Sequence, residues 1–335
     1  MDDRSIPETL DRMVAGYFVS QAIYVAAELG IADRLAEGPR RAEEIARDVG
    51  AHERSLYRLL RALASVGVFA EDADGRFSLT PLADLLRSDV PGSQRATIQM
   101  MVGQFYDAWR GLLETVRTGR SSFEKLHGRP FFESLADDPI QAQIFDDAMT
   151  ARNDRKTQAM LVAYDLTGVR VLADVGGGNG STLVTVLKQY PEMQGILFDQ
   201  PGVVERARGR IEREGLTGRC QLVPGSFLES VPSGAGAYLL RHILHNWDDE
   251  HVVEILSRVR EAMGKGARLL IVDRIITRGN EPLFGKLMDL NMLVMLGGVE
   301  RTEEEFRDLF RRAGFRLSRI VATEAEVSVI EGAKD

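Results

Sequence analysis

A short apolar run ends in a glycine-rich turn at Val171-Leu172-Ala173-Asp174-Val175-Gly176-Gly177-Gly178-Asn179-Gly180. The run from Val171 to Val175 predicts a β-strand, and the amphipathic pattern from Ser181 to Tyr190 predicts a helix after the turn. Glycines in such a turn permit positive φ angles and let a ligand come close to the backbone. The segment therefore predicts a nucleotide-type site in an α/β domain.

The spacing of the glycines distinguishes between cofactors. Gly176, Gly178 and Gly180 are each two positions apart, whereas a dinucleotide fingerprint would have its third glycine at the position of Ser181. With Asp174 at the end of the strand, this spacing favours a nucleoside that carries an amino-acid tail, since no pyrophosphate has to be held. We expect S-adenosylmethionine here, in contact with Asp174, Gly176 and Gly178; the alternative is a strand-helix turn without a ligand.

The next strands add polar and aromatic residues to the same edge of the predicted sheet. The strand Gly195-Ile196-Leu197-Phe198 ends at Asp199, whose carboxylate is suitably placed to accept both ribose hydroxyls of the cofactor. Two later strands end at Gly225-Ser226-Phe227 and at Leu240-Arg241-His242. Because ligands of open α/β sheets collect at the carboxyl ends of the strands, we expect Asp199, its neighbour Gln200 and these two ends to line the cofactor site.

The pattern of the second half of the chain predicts the architecture. Beyond Leu166, short apolar runs alternate with amphipathic helices, which is typical of a doubly wound, mostly parallel, Rossmann-like sheet. The predicted strands are Val171 to Val175, Gly195 to Phe198, Gln221 to Val223, Tyr238 to Leu240, Leu269 to Val272, Arg316 to Ile320 and Val327 to Glu331. The predicted helices are Ser181 to Tyr190, Val203 to Glu214, Glu250 to Met263 and Glu303 to Arg312.

The first half has the pattern of a helical winged-helix module. Two helices are predicted from Arg41 to Val49 and from Glu53 to Val66, followed by a hairpin of Val68 to Ala70 and Arg76 to Thr80 that turns at Asp74-Gly75. Further helices are expected as far as about residue 163. The pattern fits either a scaffold for dimerisation or a DNA-binding regulator. We predict a helical, winged-helix-like domain at 1–165 and a catalytic domain at 166–335.

Composition restricts the class of partner. The formal net charge of −8 over 335 residues argues against nucleic acid, although Arg54, Arg58 and Arg61 lie on one side of a predicted helix. The single cysteine, Cys220, excludes an intramolecular disulfide and a thiolate zinc cluster. The N-terminus, Met1-Asp2-Asp3-Arg4, has no basic region, and no window approaches a membrane span. We expect a cytoplasmic protein that binds a small molecule, but neither nucleic acid nor a membrane.

Three of the five histidines, His242, His245 and His251, fall within ten positions of one another. A metal site is one interpretation, but His251 is expected in the next helix, facing away, and no acidic ligand trio is evident, so no metal is predicted. His245 is the better catalytic candidate because it lies in the loop after the fourth strand, and an imidazole can accept the proton of a hydroxyl group. A surface position or a helix-cap contact is the alternative for His245.

Two acids are placed where they could orient the imidazole of His245. Asp273 ends the fifth strand, and Glu300 follows Gly297-Gly298. Either acid could instead pair with the neighbouring arginine, Arg274 or Arg301. With reference pKa values of ~10 for a phenol and ~6.5 for histidine, full proton transfer before methylation would cost about 5 kcal/mol, which favours concerted removal.

Several separated motifs resemble the caffeate and hydroxyindole type of O-methyltransferase, which includes plant phenylpropanoid enzymes and bacterial enzymes of antibiotic biosynthesis. The resemblance covers nearly the whole chain. It is carried by Asp174 to Gly180, Asp199 to Val204, His242 to Glu250, Gly297 to Thr302 with Glu305-Phe306, and His127 to Glu133 with Phe145 to Met149.

The resemblance implies a homodimer joined through the winged-helix half. It also implies that the acceptor lies between the two halves, beside Phe145, Met149, Met288 and Met292, and that His245 is the base, next to Asp273 and Glu300. By the same resemblance, Asp199 would hold the ribose, Phe227 would pack on the adenine, and Arg241 would contact the cofactor through its backbone.

Three residues depart from the family pattern. Ser226 and Asn246 stand where members usually carry Asp, and Asp273 stands where plant members have the longer Glu. Asn246 could hydrogen-bond the acceptor without adding a charge. The sequence as a whole predicts S-adenosylmethionine-dependent O-methylation of a hydroxylated aromatic small molecule. The alternatives are a non-methylating relative, a decarboxylase or hydroxylase acting on a polyketide, and a ligand-sensing winged-helix regulator.

Overall fold

The computed structural model describes residues 5–281 and 284–334, except for the side chains of residues 152–154. Residues 1–4, which bear on the predicted localisation, lie outside this range. The chain forms two compact units: the first contains the described residues up to Asp107 together with Gln143–Arg152, and the second contains Ala108–Ala142 and the residues from Asn153 onward. Packing thus groups residues 108–142 with the second unit, whereas the predicted boundary falls after residue 165.

A few tertiary hydrogen bonds show why residues 108–142 join the second unit. Trp109 Nε1 donates to Asn291 Oδ1 at 2.9 Å. Ser121 Oγ lies 3.1 Å from the carbonyl oxygen of Val294 and 3.0 Å from that of Met295. These contacts join residues far apart in sequence, so a boundary drawn from the local pattern alone does not reveal them.

The first unit contains the predicted winged-helix pattern. Its helices are α1 (Ile6–Glu28), α2 (Ile31–Arg34), α3 (Ala42–Val49), α4 (Glu53–Ser65), α5 (Pro81–Asp84) and α6 (Arg95–Ile98), followed by a π-helix at Gln99–Gln104. Its strands are β1 (Arg40–Arg41), β2 (Phe69–Glu71) and β3 (Arg76–Leu79). The β2–β3 hairpin was predicted, whereas β1, which pairs antiparallel with β3, was not, because two residues carry no periodicity.

Helix α1 begins with a capping box, in which Ser5 Oγ accepts from the backbone N–H of Glu8 and the Glu8 carboxylate accepts from that of Ser5. Much of its apolar surface is exposed within this one chain. The exposed apolar side chains of α1 are Ile6, Leu10, Met13, Val14, Tyr17, Phe18, Val19 and Val25. An apolar helix surface of this extent is typical of a helix that packs against a partner.

Four short helices and one long helix connect the winged-helix segment to the sheet. They are α7 (Tyr106–Trp109), α8 (Leu112–Thr118), α9 (Ser122–His127), α10 (Phe131–Ala136) and the long α11 (Pro139–Ala163). Helix α11 begins at Pro139 and is capped by Asp138, whose carboxylate accepts from the backbone N–H groups of Ile140 and Gln141. None of the helices in the described ranges is both long and apolar enough to cross a lipid bilayer.

Within the described residues, the second unit has a seven-stranded sheet with strand order β6-β5-β4-β7-β8-β10-β9. The strands are β4 (Val171–Val175), β5 (Gln194–Asp199), β6 (Cys220–Pro224), β7 (Ala237–Arg241), β8 (Arg268–Asp273), β9 (Phe315–Ala322) and β10 (Ser328–Lys334). Strands β4 to β8 pair in parallel, and β10 pairs antiparallel with both β8 and β9. The predicted doubly wound, mostly parallel sheet is confirmed.

Beyond β4, the helices between the strands are α12 (Ser181–Gln189), α13 (Pro201–Arg213), α14 (Asp249–Ala262), α15 (Phe284–Leu296) and α16 (Glu303–Arg312). Four of these were predicted within about two residues at each end. Helix α15 was not, because its sequence is apolar on almost every face and lacks the periodicity that identifies a surface helix. Apolar side chains on both faces of the sheet form two cores, one including Leu183 and Leu187, the other Val252 and Leu256.

Candidate active site

The sheet reverses its strand order between β4 and β7, which are direct neighbours. Beyond β4 the chain continues outward through β5 and β6, and beyond β7 it continues the other way to β8. A crevice opens at the carboxyl ends of the strands at such a reversal, and ligands of open α/β sheets bind there. The residues that follow β4, β5, β7 and β8 are therefore the first candidates for function.

The turn after β4 is held against β5 by backbone hydrogen bonds. Gly176, with φ of 70°, donates its N–H to the carbonyl oxygen of Phe198 at 2.8 Å. The Asp199 carboxylate accepts from the N–H of Gly178 at 2.8 Å through Oδ2 and from that of Gln200 at 2.7 Å through Oδ1. The structure thus brings together Gly176, Gly178, Asp199 and Gln200, as the sequence predicted.

Asp174, at the end of β4, is buried beneath this turn. Its Oδ2 has no hydrogen-bond partner among the described residues. Burial raises the pKa of Asp174 to about 7; nearby Asp199 adds to the rise, and Arg241 opposes it. A buried carboxylate oxygen beside a glycine turn fits a ligand that brings a positively charged amino group, which is the chemistry of an amino-acid tail.

The aromatic side of the crevice is formed after β6. Phe227 packs edge-on against Trp247, with ring centroids 5.9 Å apart and an interplanar angle of 88°. A Cβ added at Gly176 would lie 3.5 Å from Phe227 Cε1, so the ring reaches the glycine turn. Ser226 Oγ accepts from the backbone N–H of Leu228 at 3.3 Å, so at this departure from the family pattern the hydroxyl closes a local turn.

His245 lies in a short 3₁₀ helix, Leu244–Asn246, that follows β7. Its ring nitrogen Nδ1 is 3.1 Å from Glu300 Oε1 and 3.1 Å from Asp273 Oδ1, and both acids are buried. Asp273 therefore reaches the imidazole despite being one methylene shorter than Glu. Burial alone would lower the pKa of His245, but Asp273 and then Glu300 outweigh that effect and raise it to about 9.

The arginines beside the two acids have different partners. Arg274 Nη1 lies 3.1 Å from Glu300 Oε1 in a buried ion pair, so Glu300 contacts both the imidazole and a guanidinium. Arg301 binds Asp249 instead, and donates to the carbonyl oxygens of Leu244 and Trp247, which flank His245. Glu300 thus pairs with Arg274 and not with the adjacent Arg301, and its role in orienting His245 stays a prediction.

His242, which the sequence placed in the histidine cluster and at the end of the fourth strand, has contacts that the sequence did not predict. Its Nδ1 is 3.2 Å from Asp273 Oδ1, the same oxygen that faces His245, and Lys156 Nζ is 3.2 Å from its Nε2. Burial, followed by Lys156, holds the pKa of His242 well below its usual value. Its backbone has φ of 54°, which is uncommon for a residue with a side chain and marks a constrained turn after β7.

His251 and Asn246 each contact a residue close to them in sequence. His251 lies in α14 and contacts Asp248 at 2.7 Å, so it does not join the cluster. Asn246 Nδ2 donates to the carbonyl oxygen of His242 at 3.1 Å. His242, His245 and Asp273 each place one potential ligand atom within 4.8 Å of the others. The absence of a metal stays a prediction.

Four of the five residues predicted to contact the acceptor fall on two helices, and the fifth, Asn246, lies in the 3₁₀ helix beside His245. Met288 and Met292 lie on α15 in the second unit and are buried. Phe145 and Met149 lie on α11, in the segment that belongs to the first unit, and are half-buried. A contact between any of these residues and an acceptor stays a prediction.

Gly298 provides a test of how the His245 loop is positioned. A Cβ at this residue would lie 2.2 Å from the carbonyl oxygen of His245, a backbone atom that cannot rotate away. We expect Gly298→Ala to lower the free energy of unfolding by about 1–3 kcal/mol and methyl transfer at least ~10-fold. Gly297→Ala is the control, since its Cβ would meet nothing within 4 Å and only its φ of 69° is unfavourable. If Gly297→Ala lowered the unfolding temperature and the rate of methyl transfer as much as Gly298→Ala did, the close approach at Gly298 would be contradicted.

The fold and the crevice are those of a methyltransferase with a nucleoside cofactor: a glycine turn, a carboxylate after the second strand, and an imidazole with two acids across the strand reversal. An O-methyltransferase domain model matches residues 109–316, and an O-methyltransferase dimerisation domain model matches residues 12–89. The chain belongs to the S-adenosylmethionine-dependent O-methyltransferase family. The predicted resemblance, cofactor and enzyme class are confirmed.

Relatives and solved structures agree with this assignment. The chain is 42% identical over 320 residues to phenazine O-methyltransferase PhzM of Lysobacter antibioticus, covering 96% of this chain and 94% of that protein. It is 37% identical over 303 residues to aclacinomycin 10-hydroxylase RdmB of Streptomyces purpurascens, covering 89% of this chain and 81% of that protein.

Two crystal structures show the same fold. The crystal structure of LaPhzM superimposes with a TM-score of 0.96 at 41% identity, covering 99% of this chain and 100% of that one. NcsB1, an O-methyltransferase from neocarzinostatin biosynthesis, was crystallised with S-adenosyl-L-homocysteine and 1,4-dihydroxy-2-naphthoic acid. It superimposes with a TM-score of 0.84 at 35% identity, covering 94% of this chain and 96% of that one.

Proposed function

We propose that this enzyme methylates a hydroxyl group on an aromatic small molecule, with His245 as the general base. The observation that carries the proposal is the imidazole of His245, which is held through Nδ1 by two buried carboxylates, Asp273 and Glu300. This arrangement directs the Nδ1–H toward the acids and leaves Nε2 as the nitrogen that can accept a proton. The aromatic acceptors named for PhzM and NcsB1 support the same class of substrate.

The cofactor site is proposed to consist of the residues around the glycine turn. Asp199 would accept the ribose hydroxyls, Asp174 would face the amino-acid tail, and Phe227 would pack on the adenine. Gln200, Ser226 and the backbone of Arg241 would complete the lining. When bound, S-adenosylmethionine supplies an electrophilic methyl group on a sulfonium. The protein contributes by holding the acceptor oxygen in line with that methyl group, and such positioning is a large part of catalysis.

The environment of His245 changes the energetics of proton removal. For an ordinary histidine, complete transfer from a phenol costs about 5 kcal/mol, but the pKa of His245 is raised to about 9. The difference from a phenol with a pKa of ~10 is then about one unit, or about 1.4 kcal/mol. Once protonated, the imidazolium lies against two carboxylates that stabilise its charge. Proton transfer to His245 is therefore feasible as the acceptor oxygen attacks.

The raised pKa of His245 has a consequence for the pH dependence of the reaction. Only the neutral imidazole can accept a proton, and below about pH 9 the free enzyme holds it mostly in the charged form. We expect kcat/KM for a phenol to rise about tenfold per pH unit up to about 9 and then to level off. A profile that is already flat between pH 6 and 7 would show that His245 is neutral there, and would contradict its coupling to the two acids.

The direct test of the proposed reaction is a product analysis. The purified enzyme is incubated with S-adenosylmethionine and a panel of phenols, and the products are examined by mass spectrometry. A mass gain of one methylene, with release of S-adenosylhomocysteine, is the expected outcome. Gain of one oxygen would favour the alternative of a hydroxylase, as RdmB is named. Loss of carbon dioxide from a carboxylated phenol would favour the alternative of a decarboxylase.

The matched dimerisation domain and the exposed apolar surface of α1 support a further proposal, that the enzyme is a homodimer. We expect light scattering to give twice the 37.2 kDa of one chain. A double substitution at Met13 and Phe18 to glutamate is expected to yield monomers, because two charges would be buried on association. Ile140→Glu, at a similarly exposed apolar residue of α11, is the control and should stay dimeric.

The proposed enzyme has no nucleic acid partner and acts in the cytoplasm. The lone cysteine, Cys220, is a buried thiol whose pKa burial raises to about 11, which fits a packing role in a reducing compartment. A regulator would need an exposed basic helix surface. On α4, Arg54, Arg58 and Arg61 are exposed, and Arg61 lies over the ring of Tyr57, 5.6 Å from its centroid. The net charge of −8 is therefore what argues against DNA. A gel-shift experiment with random DNA at low salt tests the regulator hypothesis, and absence of any shift would reject it.

A further inference from the structure

Asn291, on α15, is a buried amide whose two ends are used differently. The residue is 3% exposed, and its Oδ1 accepts a hydrogen bond from Trp109 Nε1 at 2.9 Å. Its Nδ2 is shielded from solvent and has no hydrogen-bond partner in the part of the chain that the structure describes. An unpaired buried donor destabilises a folded protein, so its presence in a packed helix needs an explanation.

The orientation of this amide is determined by its neighbour. An indole nitrogen can only donate a hydrogen bond, so the Asn291 atom that faces Trp109 Nε1 must be the oxygen. The NH₂ group therefore points away from Trp109, with both N–H groups available. Trp109 thus fixes Asn291 as a donor toward whatever occupies the opposite side.

The position of Asn291 connects it with the catalytic loop. It lies one helical turn after Met288 and one turn before Met295, so these three residues share a face of α15, and all are buried. At the end of the same helix, Gly298 donates its N–H to the carbonyl oxygen of Met292 at 3.2 Å.

The next residue continues this connection. Val299 donates its N–H to the carbonyl oxygen of His245 at 2.9 Å. The helix that carries the Asn291 amide is therefore bonded, through its C-terminal turn, to the loop that holds the proposed base.

We propose that Asn291 determines acceptor specificity by donating a hydrogen bond from Nδ2 to a ring nitrogen or carbonyl oxygen adjacent to the hydroxyl group that is methylated. This inference rests on the proposed function. It narrows the acceptor from any phenol to one that presents a neutral hydrogen-bond acceptor beside the reacting oxygen. An acceptor that lacks such an atom leaves the Asn291 N–H groups unpaired, which a polar site penalises strongly.

The other residues on this face of α15 can move to let a ligand bind there. Met288 and Met295 are unbranched and have flexible side chains, which can change rotamer without moving the helix. The carbonyl oxygens of Val294 and Met295 lie within hydrogen-bond reach of Ser121 Oγ, so the backbone of α15 is held while side chains adjust. The amide of Asn291, in contrast, is held in one orientation by Trp109.

The test uses two bicyclic phenols that differ at one ring atom. 8-Hydroxyquinoline has a ring nitrogen beside the hydroxyl group, and 1-naphthol has carbon there. Binding of each to the S-adenosylhomocysteine-saturated protein is measured by titration calorimetry, with EDTA present to prevent metal chelation. We expect the parent protein to bind 8-hydroxyquinoline at least ~10-fold more tightly than 1-naphthol, the effect of one buried hydrogen bond.

Two variants separate the role of the donor from general effects on packing. In Asn291→Leu the ratio of the two affinities should fall to about one, because the donor is gone. Asn291→Asp keeps an acceptor for Trp109 but replaces the NH₂ group by an oxygen, so it should reverse the preference and provides a second variant if the first folds poorly. Thr115→Val removes another buried polar atom without a partner among the described residues, and should leave the ratio unchanged.

Each outcome of these titrations supports or rejects the proposed role of Asn291. A ratio that is the same in the parent and in both Asn291 variants would overturn the proposal, as would failure of the parent to bind either phenol. S-adenosylhomocysteine binding is measured first in the same titrations. Its presence together with a failed ratio would reject the role of Asn291 alone, whereas its absence would reject the proposed function itself.

Discussion

Replacement of His245 by alanine is expected to slow methyl transfer by about 10²–10⁴-fold, the usual contribution of a general base. The loss should appear in kcat, because the imidazole acts on the proton of the bound acceptor as the new bond forms. Affinity for S-adenosylhomocysteine should change little, since the proposed cofactor contacts lie on the glycine turn and after β5. Single-turnover methylation and calorimetric titration of the same preparation measure the two quantities.

His251→Ala is the matched control for this experiment. His251 is exposed in α14, and its ring contacts Asp248, so its removal should leave the rate within about twofold. If His245→Ala kept the parental rate as well, His245 would not be the base, and an acceptor acidic enough to ionise unaided would be the better explanation. His245→Gln adds a variant that keeps a polar side chain in the cluster.

The second large effect is expected at the cofactor site. Asp199→Ala should weaken S-adenosylhomocysteine binding by at least ~100-fold, because charge-assisted hydrogen bonds of about 1.5–3 kcal/mol each would be lost at the ribose. The substitution also removes the acceptor for the N–H groups of Gly178 and Gln200, which loosens the turn. Asp199→Asn keeps one acceptor oxygen for that turn and should bind with intermediate affinity.

Asp165→Ala is the control for the cofactor site. Asp165 also accepts a backbone N–H, from Thr167 at 2.8 Å, but in an exposed loop before β4. Its loss should leave the affinity for S-adenosylhomocysteine unchanged. Parental affinity in Asp199→Ala would mean that another residue holds the ribose, and would require the cofactor site to be reassigned.

The parts of the fold that were predictable from sequence are those with local causes. The turn from Gly176 to Gly180 is recognisable from its residue types and their spacing. The buried parallel strands are recognisable from short apolar runs. Asp199, Asp273 and Glu300 could be chosen because each follows a strand or a glycine turn, and such positions meet at one edge of the sheet.

The contacts that were not predicted join distant parts of the chain. Lys156 and His242 are 86 positions apart, and Trp109 and Asn291 are 182 positions apart. No local sequence pattern predicts such pairs. Arg274 was weighed only as an ion-pair partner for Asp273, the acid next to it, yet in the fold it pairs with Glu300. Helix α15 was missed for a different reason, since its apolar residues cover almost every face.

The guanidinium of Arg301 has a consequence for attempts to alter the enzyme's acceptor range. It is 1% exposed and donates to the carbonyl oxygens of Leu244, Trp247 and Val299. These hydrogen bonds join the loop that contains His245 to the segment that follows α15. The proposed pocket wall and the base are consequently parts of one rigid piece. Laboratory evolution toward bulkier acceptors should succeed more often through substitutions early in α15, such as Met288, than through its final turn, where each gain in space would also displace the base.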